Sequence, residues 1–99
     1  MAEKKSATPT TPNIGDVVLY QVREIDVENI RTNRGRLEVF TGGELIGNPV
    51  TAGTQYPALV VAQKDRDDLN LRVLLDGKDD LWVAHAKEGD YPGCWKHHS

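Results

Sequence analysis

The sequence is poor in the residues that most often announce a function. A single cysteine, Cys94, excludes an internal disulfide framework. The only serines are Ser6 and Ser99, near the two ends, which leaves little to build a serine nucleophile from. No apolar run approaches the roughly 18 residues that a helical membrane span needs, so a membrane partner is not expected. The basic residues near the start, Lys4 and Lys5, are followed by no apolar stretch, unlike a secretory leader. Synthesis in a reducing cytoplasm fits both the lone thiol and the lack of a leader-like stretch. Excess positive charge is also absent. Lys and Arg number 12 against 15 Asp and Glu, and a net charge of −3 gives no broad field for non-specific nucleic-acid binding.

What the chain does have suits one small domain. Apolar residues make up 38% and charged residues 27%, ordinary proportions for a globular protein. At this length folding buries only about two-thirds of the surface an unfolded chain exposes, so the core is thin. Residues 1–13 are small, polar and interrupted by proline, which predicts a flexible arm ahead of a single β domain over 14–99. Such an arm either stays disordered or orders on a partner.

The domain opens with Val17–Val22, a β-branched and aromatic run that reads as a strand. Residues 23–34 carry acids early and arginines late, and Gly35 follows, predicting a short helix that stops there. Leu37, Val39 and Phe40 suggest a short strand before Gly42-Gly43, and residues 46–49 a loop. Tyr56–Gln63 is a strand with Pro57 at its start or on an edge. Leu69, Leu71, Val73 and Leu75 alternate with Asn70, Arg72 and Leu74, one buried face and one mainly solvated face, and Asp76-Gly77 has the composition of a tight turn with positive φ. Leu81–Ala86 returns, and Cys94–His97 supplies a last short strand. Strand, helical excursion, strand, hairpin and closing strand predict a small SH3-like or Tudor-like antiparallel β-barrel, with an open α+β roll as the alternative.

Three constellations bear on chemistry. Cys94, His97 and His98, with His85 from the preceding strand, bring metal-ligand types together, but zinc sites draw paired ligands from two knuckles and no second cysteine exists. A Cys94–His85 dyad has no evident oxyanion hole, and no phosphate-binding glycine motif occurs, so neither an enzyme nor a cofactor is expected. Arg31, Arg34 and Arg36 form the best local basic patch; cations complementing the dipole at a helix end is the plainer reading. The aromatics Tyr20, Trp82, Tyr91 and Trp95 fall at strand ends or turns. There a small barrel either fills its core with them, the favoured reading for Trp82, or presents them as a cleft for a partner.

Several features together resemble a group of small proteins of tailed bacteriophages and prophages with no established activity. They are Gly15-Asp16-Val17-Val18-Leu19-Tyr20, the Asp26–Arg34 segment, Gly47-Asn48-Pro49-Val50 leading to Tyr56-Pro57-Ala58, Val73–Gly77 with Asp80 and Trp82, and Glu88-Gly89-Asp90 with Pro92-Gly93 and Trp95. The ending departs from the group, which tends to carry Gly-Thr-Trp, an aromatic and proline where Cys94, Trp95, Lys96 and His97 stand. The resemblance implies a viral origin, with the protein in the host cytoplasm or carried in the virion. The leading expectation is a non-enzymatic accessory module that binds a protein, either a host factor or a virion component. The rival is a nucleic-acid-binding barrel using Arg31, Arg34, Arg36 and exposed aromatics.

Overall fold

A computed structural model describes residues 11–43 and 45–98. Its elements are β1 (Val17–Gln21), α1 (Glu24–Thr41), β2 (Gln55–Gln63), β3 (Leu69–Leu74), β4 (Asp80–Glu88) and β5 (Cys94–Lys96). The strands close into an SH3-like barrel in chain order, as the strand and turn pattern predicts. Closure depends on β5. It runs antiparallel to β1 at Tyr20↔Trp95 and parallel to β4 at Lys87↔Cys94, so one short strand joins both open sides.

Period-two alternation builds the core: Val18 and Tyr20 from β1, Ala58 and Val60 from β2, Leu69, Leu71 and Val73 from β3, Leu81 and Val83 from β4, and Trp95 from β5 are buried. The alternation slips once in β4. Leu71 faces Val83 while Leu69 faces Ala86, so β4 carries an extra residue and Ala86 turns inward in its place. His85 takes up this bulge with φ 59°, and Asn70 Oδ1 accepts its backbone N–H at 3.0 Å. Pro57 lies just beyond the last β2–β3 pair, Ala58↔Val73, so its missing N–H interrupts no paired position with β3.

Two expectations need correction, and the expected arm over 1–13 is described only at its inner end. The arm is anchored at its inner end: Pro12 is buried and its carbonyl accepts from Gln63 Nε2 at 3.0 Å, while Asn13 N–H donates to Asp16 Oδ2 at 2.8 Å. Residues 1–10 of that expectation lie outside the described residues. The helix does not stop at Gly35, and no strand forms over 37–40. A mid-helix glycine costs only about 1 kcal/mol, which the continuing backbone ladder outweighs. The ending comes at Gly42, in the left-handed region at φ 74°, where Gly42 N–H reaches Val39 O and Gly43 N–H reaches Glu38 O, the paired bonds of a Schellman motif.

The second correction concerns Gly77, which does not adopt positive φ. It is needed for closeness instead. Gly47 and Gly77 form a β-bridge, and a Cβ on Gly77 would stand 2.7 Å from Gly47 Cα and 2.8 Å from Ile46 O. Backbone cannot swing away as a side-chain tip can. Gly77→Val is therefore expected to destabilise by about 1–3 kcal/mol, read as a lowered thermal midpoint. An unchanged midpoint would show that this approach is not tight.

Candidate interaction surface

α1 meets the barrel along one narrow stripe, Asp26, Ile30 and Arg34, spaced four residues apart so that all three lie on one face. Two of the three are charged, and each is neutralised by a specific partner. Asp26 accepts the Tyr20 hydroxyl, the Arg23 backbone N–H at 2.9 Å, and the Arg23 guanidinium through Nη2 at 2.8 Å. Burial alone would raise the Asp26 carboxyl, but the hydrogen bonds from Arg23 and Tyr20 together hold it below the ordinary carboxylate value. The Tyr20 phenol is pushed up, first by burial and then by its bond to that carboxylate. The Arg23 guanidinium is raised chiefly by its hydrogen bond to Asp26.

Arg34 works at the other end of the stripe. Its Nε and Nη2 donate to the two oxygens of Asp79 at 2.9 and 3.1 Å, and Nη1 donates to Asn48 O at 2.6 Å. One side chain thus ties the helix both to the loop before β2 and to the β3–β4 turn. This removes Arg34 from the proposed basic patch. Arg31 and Arg36 are exposed, but five residues of separation set them roughly 140° apart around the helix. Nor do the arginines sit at a helix end, because α1 continues past them and its last turn holds no basic residue.

The aromatics separate into two sets. Tyr20 and Trp95 belong to the core, Trp95 donating its indole N–H to Asp67 O at 2.8 Å, so neither offers a surface to a partner. Trp82 is 56% exposed and Tyr91 65% exposed. Trp82 reverses the core assignment because it sits between the inward-facing Leu81 and Val83 of β4 and so points outward.

The cysteine and histidines stay dispersed. Cys94 is buried, His85 Nδ1 faces the Asp68 carboxylate at 3.1 Å, and His97 Nε2 lies 3.9 Å from Glu88. His85 holds Asp68 below the usual carboxylate range through that hydrogen bond. Among the described residues, no group of three or more His, Cys, Asp or Glu side chains is placed to hold a metal ion, and no helix is long and apolar enough to cross a membrane.

Two surface features flank α1. At its far end Val39 is 81% and Phe40 88% exposed, with Leu37 also exposed and Leu45 following just past the helix end. Reading this stretch as a strand hid it, although Gly42-Gly43 is a stronger stop signal than the single Gly35. Along its sides run two clefts. One, of about 380 Å³, lies between α1 and the segment before β2, with Val27, Ile30, Leu45, Pro49 and Val50 among its walls. The other, of about 420 Å³, lies between α1 and Trp82. No protein-family model matches the chain, and no match to it was found among curated proteins or solved structures.

Proposed function

We propose that the chain is a non-enzymatic, protein-binding accessory module of the phage kind its sequence resembles, and that it grips a host factor or a virion component with the outer end of α1. The observation that carries this reading is the exposure of Val39 and Phe40 on a stretch of helix that the core does not use. Adjacent large apolar side chains in water gain nothing for the fold, whereas in a partner's groove a helix end of this kind supplies the buried anchors of an interface. Leu37 and Leu45 widen the patch, and Arg36 and Glu38 give it a charged rim. The nucleic-acid reading loses support because Arg34 is spent on Asp79 and Asn48 and because the net charge is −3.

Capture from infected-cell lysate or virion extract, run in parallel with wild type and a Val39→Asp/Phe40→Asp variant, tests this. Both positions are exposed, so the variant should unfold at the wild-type temperature. The recovered protein should fall by about 30-fold, the equivalent of losing about 2 kcal/mol of anchor. Nucleic acid should not bind at physiological ionic strength. Undiminished capture by the variant, or micromolar nucleic-acid binding abolished by Arg31→Ala/Arg36→Ala, would overturn the proposal.

A further inference from the structure

The cleft beside Trp82 is built differently from the apolar helix end. Asn29, Thr32, Asn33 and Arg36 recur at the spacing that sets side chains on one helix face, and they stand across from Asp80 and Trp82 of β4. Among the described residues, these four helix side chains make no hydrogen bond or ion pair within the protein. Asp80 is fixed on one side, its Oδ1 accepting from Arg72 Nη1 at 3.2 Å. Trp82 contributes a flat apolar surface that the barrel leaves open to solvent.

We propose that this cleft binds a neutral saccharide unit, with the C–H face of the sugar ring on the Trp82 indole and its hydroxyls on the facing amides and Asp80. The donor and acceptor inventory selects this chemistry. Each asparagine side chain offers both a donor NH₂ and an acceptor oxygen, Thr32 offers both through one hydroxyl, Arg36 only donates, and the ionised Asp80 only accepts. Adjacent hydroxyls, which donate and accept at the same positions, satisfy all of them. A phosphate or other anion accepts only, and it would leave the amide oxygens and the second oxygen of Asp80 without donors. A proline-rich peptide presents carbonyl acceptors almost alone and would leave Asp80 and the amide oxygens without donors. The volume, about 420 Å³, falls within the range of small-ligand sites. An aromatic face bordered by a few placed polar groups is the usual make-up of such a site.

Titration of the full chain with a panel of neutral mono- and disaccharides, followed by amide and indole NMR resonances, provides the test. At least one sugar should move the Trp82 indole N–H and the Asn29 and Asn33 side-chain amides at millimolar concentration, while the buried Trp95 indole stays still as an internal control. Trp82→Ala should weaken that sugar at least about tenfold, and Trp82→Phe should recover part of the loss by restoring an aromatic face. Asn33→Ala, on an exposed helix position, should weaken it as well. The inference is overturned if no sugar in the panel moves these resonances, or if the shifts survive Trp82→Ala. It is equally overturned if a nucleoside monophosphate or a proline-rich peptide binds the same resonances more tightly than every sugar. The cleft and the Val39–Phe40 patch have separate variants and readouts, so either proposal can fail without the other.

Discussion

Replacing Asp26 by alanine is expected to lower the stability of the fold by about 3 kcal/mol, because three donors lose their acceptor at once. The Tyr20 hydroxyl would be left buried without a partner, the Arg23 backbone N–H would lose its cap, and the guanidinium would lose its counter-charge. For a domain of this size the thermal midpoint should drop by on the order of 15 °C. Tyr20→Phe, which removes one donor but leaves the ion pair, should cost about 1–2 kcal/mol. The double variant should cost clearly less than both losses added, because Tyr20→Phe removes the very hydroxyl that loss of Asp26 would leave buried and unpartnered. Strict additivity would show that the three groups do not act as one network. The network also sets a direction with pH. The folded Asp26 titrates below its ordinary 3.8, so its stabilisation is complete above that value and is lost as the pH falls through the lower folded value. Wild type should therefore shed this increment below about pH 4, whereas Asp26→Asn has no carboxyl there to titrate.

Arg34→Ala is expected to cost about 3 kcal/mol, since it leaves the largely buried Asp79 carboxylate and the Asn48 carbonyl without their donors. Arg34→Lys should recover little, because an ammonium cannot bind both oxygens of Asp79 and a carbonyl at the same time. Chemical unfolding measures the cost, and amide hydrogen exchange locates it. Protection in α1 and in the segment before β2 should fall together, since one guanidinium holds both. A loss below about 1 kcal/mol, or exchange that rises in only one of the two, would mean that Arg34 decorates the helix and does not hold it.

Where side chains alternate, the sequence was readable. Leu69, Leu71 and Val73 name their face directly, and with the turns around 64–68 and 76–77 they were enough to expect a small barrel. Legibility failed where a long-range contact overrode a local signal. Gly35 looks like a stop, but a single glycine is a weak one, and the true end needed the left-handed Gly42. Gly77 resembles a positive-φ turn residue, and its actual constraint comes from Gly47, thirty positions earlier in the chain. The exposed and buried aromatics could not be told apart by composition. Tyr20 is buried because a helix carboxylate six residues later accepts its hydroxyl, and Trp82 is exposed because of its parity in β4. The same limit applied to the arginines, which cluster in sequence yet are divided by helical rotation and by one buried ion pair.

The three-residue strand that closes the barrel also has a kinetic consequence. Lys87 and Cys94 are close in sequence and can pair early, but Tyr20 cannot meet Trp95 until β1 and β4 are already held in place by the strands between them. Its few backbone bonds to β1 join positions near opposite ends of the described chain, so most of the loop-closure entropy is spent before they form. Folding should therefore run at the slow, non-local end of the two-state range. The latest event should be the docking of β5 on β1, which closes the barrel over the buried Trp95 indole.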